Sequence, residues 1–387
     1  MKTHYNIRSL DGIRGIAIIL VMLHHFQQVL PDNNRPLMFT KGTLYYGWSG
    51  VDLFFALSGF LITGILLDTR TTANYFRAFY ARRVLRIFPL YYAVLILILV
   101  VVGLHKPRPV WAPLVADEKL YFFYLTNWLV LWKGKWGPNT LGHFWSLAVE
   151  EQFYLVWPFC VWLLAPRRLA GLAVGASVVA LLSRVYWVEH AGPSQAVVMA
   201  TVTRMDSLLC GALGALAFRN NRMMAVVKER LPFVTLAALS LFVVGVATPG
   251  WKGEGVLFFI DKFGFSLLAI GFSALVLYAA ATDGARSLLQ RALGNTVLTD
   301  FGKYSYGIYV YHVPILTACN ELVHRYVPKA KADASWFGIL DFVFLFAASF
   351  LVAKISYEYF ERNFLSMKRR FEPRESEVRV AAASTGA

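Results

Sequence analysis

Long apolar stretches, separated by short polar or charged stretches, run along almost the whole chain. The apolar residues form continuous runs rather than the three- to four-residue pattern of an amphipathic helix, and several runs reach the roughly 20 residues that cross a bilayer as a helix. We therefore predict an all-α, polytopic membrane protein with about ten transmembrane helices. The predicted spans are residues 11–30, 48–67, 84–104, 144–164, 169–188, 203–219, 232–248, 262–281, 302–323 and 336–358.

The segments outside these spans complete the predicted organisation. Residues 120–132 are apolar but too short to cross a bilayer, so we expect them to be re-entrant or to lie at the interface. The first apolar run is followed by Pro31 and polar residues rather than by a cleavage site, which predicts a retained first span. Residues 1–362 are predicted to form one membrane domain, and residues 363–387 a short, basic, disordered tail.

Composition agrees with this class, because 57% of the 387 residues are hydrophobic, only 16% are charged and the mean hydropathy is +0.52. The formal net charge of +15 does not indicate nucleic-acid binding, because the cations lie in short loops between spans. Cys160, Cys210 and Cys319 lie in apolar spans without paired spacing, so neither a disulfide nor a metal site is expected.

Loop charge predicts the orientation in the membrane. The arginine-rich loops fall on the side that holds both termini, and the positive-inside rule makes that side cytoplasmic. One loop on the other side, residues 105–140, argues against this orientation, because it also carries cations. They are Lys106, Arg108, Lys119, Lys133 and Lys135.

The first candidate site lies on a single helix. Arg14 and His25 occur in the first apolar run, where ionisable side chains are costly and are usually functional. Eleven positions at about 100° and 1.5 Å each place them on one helix face, about 16 Å apart along the axis, with His24 about 80° off that face. Snorkelling by Arg14 and helix tethering by His25 are the structural alternatives. The shared face favours a site in which a neutral imidazole accepts a proton.

The second candidate site is a cluster of arginines. Arg82, Arg83 and Arg86 are three and four positions apart and therefore share a helix surface where the third span begins. Such a cluster either sets topology or binds phosphate, since the planar donors of arginine match phosphate oxygens. Its aromatic neighbours and its place at the membrane surface fit a nucleotide-bearing cofactor.

Two adjacent glutamates mark the third candidate site. Ser146 and Glu150 are four residues apart and face the same way as they enter the fourth span, whereas Glu151 faces elsewhere. We expect one carboxylate to pair with His25 and the other with an arginine. A purely structural ion pair is the alternative, and the sequence does not choose between the two glutamates.

Three further residues carry weaker signals. Asp52 lies in the second span between glycines that permit close helix packing. Asn127 is placed to line a site. His312 follows a tyrosine-rich stretch, and we expect it to have a structural role or to support another catalytic group.

Together these segments resemble the acyltransferase-3 family of integral-membrane O-acyltransferases. The resemblance runs almost the full length, and its most specific parts are the helix of Arg14 and His25 and the double-glutamate segment. The matching segments are residues 11–25, 51–60, 82–89, 145–154, 304–312 and 357–362.

The resemblance implies a ten-helix protein of a bacterial plasma membrane that moves an acyl group, often acetyl, from cytoplasmic acyl-CoA to a hydroxyl of an extracytoplasmic carbohydrate or glycosylated acceptor. Many relatives continue into an esterase-like domain, and the early end of this chain predicts a stand-alone version. The roles implied are His25 as the catalytic histidine, Arg14 as its partner, Arg82, Arg83 and Arg86 as the CoA phosphate motif, and Glu150 or Glu151 as the acidic group.

One geometric expectation joins these residues. A phosphopantetheine arm extends on the order of 15–20 Å, close to the roughly 16 Å between Arg14 and His25, so we expect one water-accessible tunnel to reach both side chains. Within it, Glu150 is expected to orient His25. Direct transfer and transfer through an acylated residue both stay open, as does the oligomeric state. The alternative function is a transporter of an anionic or acylated solute, although no internal repeat supports it.

Overall fold

The structure is a computed structural model that describes residues 7–32, 35–104, 117–133, 140–248, 254–328 and 334–374. Every regular element in these ranges is a helix. The α-helices are α1 Arg8–Phe26, α2 Arg35–Tyr45, α3 Gly50–Thr69, α4 Tyr75–Leu104, α5 Glu118–Phe122, α6 Thr126–Lys133, α7 Trp145–Leu163, α8 Pro166–Ala191, α9 Gln195–Met199, α10 Thr201–Phe218, α11 Asn221–Val227, α12 Leu231–Ala247, α13 Glu254–Phe259, α14 Phe265–Ala281, α15 Leu288–Leu293, α16 Thr296–Tyr326, α17 Ser335–Ser356 and α18 Arg362–Ser366. Short 3-10 or π segments are Gln27–Val29, Tyr46–Ser49, Gly142–Phe144, Lys228–Arg230, Ile260–Gly264, Tyr357–Glu361 and Met367–Phe371.

The chain is an integral, polytopic membrane protein. Within the described residues, eight helical segments are long and apolar enough to cross a bilayer. They are Arg8–Val29, Arg35–Thr69, Tyr75–Val102, Pro166–Ala191, Gln195–Phe218, Asn221–Ala247, Gly255–Ala281 and Ser335–Phe371. The predicted fourth and ninth spans form the long helices α7 and α16, which fall outside this set because polar side chains interrupt them. The count of ten therefore stays a prediction.

The loops differ more from expectation than the spans do. Residues 120–132 lie in and between two short helices, α5 and α6, neither of which is long enough to cross a bilayer. The helix α2 was not predicted. Half of the predicted loop 105–140 lies outside the described residues, including Lys106, Arg108 and Lys135.

Close backbone packing joins α1 to α16. A Cβ atom added at Gly15 would lie 2.0 Å from the carbonyl oxygen of Leu298, and one at Gly302 would lie 1.9 Å from that of Asp11. Neither position has room for a side chain, so the two helices meet backbone to backbone. This contact aligns the helix of Arg14 and His25 with the helix that carries His312.

Two buried ion pairs hold α3, α8 and α10 together. Asp52 accepts from Arg204 at 2.9 Å, and Asp206 accepts from Arg184 at 2.6 Å, with each of these side chains at most 2% exposed. The guanidinium carbon of Arg204 also lies 3.7 Å from the centroid of the Phe265 ring. The four charged side chains inside this part of the bundle are therefore paired with each other.

The start of the predicted tail is ordered. The helix α18 and the turn Met367–Phe371 pack against α4, so the prediction of disorder from residue 363 is wrong up to residue 374. The packing partner lies almost 300 residues earlier in the chain, and no local pattern could have indicated it. Residues 375–387 lie outside the described residues.

Candidate active site

A cavity of about 1650 Å³ lies between α1, α3, α4, α7 and α16. Ordinary small-molecule sites measure roughly 300–1,000 Å³, so this cavity has room for a ligand as large as a nucleotide thioester. Seven basic and three acidic side chains line it, which gives its wall an excess of positive charge. The basic residues are Arg14, Arg82, Arg83, Arg86, Arg219, Lys228 and Lys368, and the acidic ones are Asp68, Glu150 and Glu372.

Three of these cations come from one surface of α4. Arg82, Arg83 and Arg86 all line the cavity, in agreement with their predicted clustering. The guanidinium carbon of Arg83 also lies 5.9 Å from the ring centroid of Phe79 and 5.5 Å from that of Tyr154. Across the described ranges, none of the three arginines takes part in an ion pair. Their charge is therefore available to an anion.

The other cations differ in how they are compensated. Arg14 lies 2.6 Å from Asp11, one turn earlier on α1, and Arg219 lies 2.6 Å from Asp68. Lys368 reaches the cavity from the C-terminal 3-10 turn, and within the described part of the chain its ammonium has neither a hydrogen bond nor an ion pair. The ammonium of Lys228, in the turn Lys228–Arg230, is likewise without a hydrogen bond or an ion pair in the described residues, so the uncompensated charge comes from α4, from this turn and from the segment after α18.

Glu150 lines the cavity but is bonded to hydroxyl groups. Its Oε1 accepts from Ser58 Oγ at 2.7 Å, and its Oε2 accepts from the Tyr154 hydroxyl at 3.2 Å. The expected pairing of Glu150 with His25 is not observed, because side chains from α3 and from its own helix hold both carboxylate oxygens. Ser146 also lines the cavity, in agreement with its position one turn before Glu150.

His25 lies in a cluster of four histidine rings, one of which belongs to its neighbour His24, with its ring centroid 4.9 Å away. The ring centroid of His25 is 4.8 Å from that of His312 on α16 and 6.5 Å from that of His143, in the turn before α7. The Nδ1 atom of His25 lies 2.9 Å from the Val21 carbonyl oxygen and 3.3 Å from Nε2 of His312. His312 is fully buried and His143 is 3% exposed. The fold therefore brings two predicted candidates, His25 and His312, into direct contact.

The cavity and the histidine cluster are adjacent but separate. Tyr309 lines the cavity and places its ring centroid 5.3 Å from that of His143. Its hydroxyl donates to the His143 carbonyl at 2.8 Å and is also hydrogen-bonded to Ser146. His25 does not line the cavity, although Arg14 does. The expected tunnel that reaches both side chains is therefore not observed: the cavity reaches Arg14, and Tyr309 is a side chain that contacts both the cavity and the cluster.

Two predicted candidates belong to structural networks away from the cavity. Asp52 is the carboxylate of the buried ion pair with Arg204 and also accepts from Ser207 at 3.0 Å. The Asn127 amide donates to Thr201 at 2.8 Å and accepts from Gln152 at 2.9 Å. These bonds tie α6 to α7 and α10 rather than to the cavity.

The last two candidates also stay outside the cavity wall. The Nδ1 atom of His24 lies 2.6 Å from the carbonyl oxygen of Tyr45, which is the last residue of α2. Glu151 does not line the cavity, so of the two glutamates it is Glu150 that the cavity exposes. In the ranges that the structure describes, no group of His, Cys, Asp and Glu side chains is arranged to hold a metal ion.

Three residues at these sites were not selected from the sequence. His143 lies three residues before Ser146, and Tyr309 lies three residues before His312 on the same helix. This spacing from a selected candidate could have indicated both residues. Lys368 had none, because it reaches the cavity only through the packing of the C-terminal segment against α4.

Comparison with known sequences assigns the class. Residues 7–358 match the Acyl_transf_3 family, described as an acyltransferase domain. The chain therefore belongs to the acyltransferase-3 family, and the resemblance drawn from its motifs is confirmed.

Among the relatives, peptidoglycan O-acetyltransferase OatA of Listeria monocytogenes is 29% identical over 368 residues, covering 91% of this chain and 55% of the relative. The putative peptidoglycan O-acetyltransferase YrhL of Bacillus subtilis is 29% identical over 395 residues, covering 95% and 57%. O-acetyltransferase OatA of Staphylococcus aureus is 28% identical over 374 residues, covering 91% and 56%. The chain thus spans little more than half the length of these relatives. No solved structure matches it.

Proposed function

We propose that this chain is a membrane O-acyltransferase that moves an acyl group, expected to be acetyl, from acyl-CoA to a hydroxyl of an extracytoplasmic carbohydrate. The observation that carries the proposal is the cavity lined by the uncompensated cations Arg82, Arg83 and Arg86. Relatives named as peptidoglycan O-acetyltransferases support both the reaction and the carbohydrate class of acceptor.

The cationic cavity is the proposed donor site. Guanidinium groups bind phosphate oxygens through paired donors, and CoA carries a pyrophosphate and a 3′-phosphate. Arg14 lines the same cavity, and His25 lies eleven residues further along the unbroken helix α1, about 16 Å away along its axis. A pantetheine arm of about that length would run from the phosphates toward the histidine cluster. With both termini on the cytoplasmic side, the arginine-rich mouth would face the cytosolic pool of acyl-CoA.

His25 is the proposed general base, and its neighbours fix which nitrogen carries the proton. The Val21 carbonyl can only accept, so the Nδ1 atom of His25 that faces it is the protonated one. The Nδ1 atom of His312 faces the carbonyls of Ile308 and Tyr309 at 3.1 and 2.8 Å and is protonated for the same reason. In neutral rings, Nε2 of His312 therefore accepts from Nδ1 of His25, and Nε2 of His25 keeps its lone pair.

The proposed reaction then balances without a metal ion. The acceptor hydroxyl oxygen attacks the thioester carbonyl carbon, and Nε2 of His25 takes the hydroxyl proton. The new C–O bond forms as the C–S bond breaks, and the proton passes from His25 to the departing CoA thiolate. His312 stabilises the imidazolium ion in between by accepting from its Nδ1. A route through an acylated side chain would use the same base twice.

Transfer also requires a passage at Tyr309. The donor cavity ends at the hydrogen-bonded pair Ser146 and Tyr309, and His25 lies beyond it. We propose that this contact opens when the acyl group is delivered. Until then Tyr309 would keep the thioester away from the base and from extracytoplasmic water, which limits wasteful hydrolysis.

The test uses purified protein in detergent with radiolabelled acetyl-CoA and a soluble glycan acceptor. Label should move to the glycan, and His25→Ala should abolish that transfer while the protein keeps its melting temperature. Turnover by His25→Ala at the wild-type rate would refute the mechanism. The assay also separates an enzyme from a transporter, since a transporter does nothing measurable without two compartments.

A further inference from the structure

The C-terminal segment, residues 367–374, forms part of the cavity wall. Three of its residues, Lys368, Glu372 and Pro373, line the cavity together with the arginines of α4. The segment follows α18, after the last of the predicted spans, and reaches back to the start of α4. One wall of the cavity is therefore built from two segments that lie far apart in the sequence, the start of α4 and the segment after α18.

Specific contacts hold this segment in place. The side chain of Asn74 donates from Nδ2 to the Glu372 carbonyl at 2.9 Å, and its Oδ1 accepts from the backbone N–H of Arg374 at 2.9 Å. The N–H of Ala73 donates to the Arg374 carbonyl at 3.1 Å. The guanidinium carbon of Arg77 lies 5.7 Å from the ring centroid of Phe371. These contacts fix the segment where the loop before α4 meets the cavity.

Lys368 is the basic side chain that this docking delivers. It lines the same cavity as Arg82, Arg83 and Arg86, and no carboxylate in the described ranges pairs with it. Bringing a fourth cation against three others raises the energy of the empty site, because like charges repel. The arrangement is favourable once a multiply charged anion occupies the space between them.

We infer that the docked C-terminal segment completes the donor site and that Lys368 binds a phosphate of the nucleotide. The inference rests on the proposed function, because it takes acyl-CoA as the donor. It adds a second element to the phosphate site, since the ammonium comes from the far end of the chain and the guanidinium groups come from α4. Lysine binds phosphate as a point charge, so it complements the paired donors of arginine.

The experiment measures the Kd of CoA by calorimetry with the full chain in detergent, so no acceptor is needed. Lys368→Met should raise the Kd about tenfold, as expected for the loss of one charged hydrogen bond. Lys368→Arg, which keeps the charge, should stay within about threefold of wild type. Arg369→Met is the matched control, because Arg369 lies on the same turn, is exposed and does not line the cavity. It should leave the Kd unchanged.

A second ligand, 3′-dephospho-CoA, shows which phosphate of CoA Lys368 binds. If the cost of Lys368→Met disappears with 3′-dephospho-CoA, Lys368 binds the 3′-phosphate, and if the cost persists, Lys368 binds the pyrophosphate. Either result supports the inference. Asn74→Ala should also raise the Kd of CoA, because it releases the segment while leaving Lys368 in the chain.

Each opposing result has a separate meaning. Equal Kd values for wild type and Lys368→Met would overturn the role of Lys368 and leave the proposed function standing. An unchanged Kd in Asn74→Ala would overturn the role of the docked segment. Failure of the wild-type chain to bind CoA at all would overturn the donor assignment, and the inference with it.

Discussion

Replacement of His312 tests how the proposed base is oriented. The variant His312→Asn keeps an amide near the position of Nδ1, where His312 meets backbone carbonyls, but loses the acceptor at Nε2. The longer His312→Gln places its amide oxygen near Nε2 and can still accept from His25. The two variants thus differ in the contact that the mechanism uses.

The expected magnitude follows from the geometry. A hydrogen bond to a charged group contributes about 1.5–3 kcal/mol, and His25 becomes charged only as it takes the proton. The 3.3 Å separation between Nδ1 of His25 and Nε2 of His312 is long, and the Val21 carbonyl still holds Nδ1, so the lower end applies. His312→Asn should therefore lower kcat about tenfold. His312→Gln should stay within about threefold of wild type.

Steady-state acetyl transfer at varied acetyl-CoA separates kcat from KM. His312 does not line the cavity, so the KM for acetyl-CoA should be unchanged in both variants. In protein labelled with ¹⁵N-histidine, NMR should report a protonated Nδ1 for His25, whatever the activity. Equal losses in the two variants would show that His312 acts only through packing, and a raised KM would place it in the donor site instead.

Two further outcomes follow from the structure. Asp52→Asn leaves Arg204 buried without its carboxylate, so it should destabilise the protein by about 3–5 kcal/mol. Its Kd for CoA should not change, and a stable variant with weak CoA binding would instead place Asp52 in the donor site. In a chain without native cysteines, Thr72→Cys on the cavity wall should react with a membrane-impermeant thiol reagent from the cytoplasmic side only, and CoA should protect it. Labelling from outside would contradict the proposed orientation.

The sequence predicted well those features that depend on a single segment of the chain. The apolar runs predicted the long helices, including α7 and α16, because a membrane requires length and apolar composition within each segment. The clustering of Arg82, Arg83 and Arg86 was also predictable, since a single helix fixes which residues share a surface. These are properties of one segment at a time.

Contacts between segments were not predictable in the same way. Glu150 lines the same cavity as the arginines, but Ser58 and Tyr154 bond to its oxygens in place of His25, which was the expected partner. No spacing rule reveals that a serine of α3 reaches α7. Lys368 is a stronger example of the same difficulty. Composition alone predicted that its segment is disordered, whereas packing against α4 orders the segment as part of the cavity wall.

The position of Tyr309 changes the expected relation between the cavity and the histidine cluster. A helix that carries Arg14 and His25 on one face predicted one continuous path between them. Side chains from α7 and α16 interrupt that path: Ser146 and Tyr309 bond to each other, and Tyr309 also binds the carbonyl of His143. In the proposed mechanism, an acyl donor in the cavity and a base in the histidine cluster would meet only after Tyr309 moves. In that mechanism, this part of the fold would control the delivery of the acyl group rather than its binding.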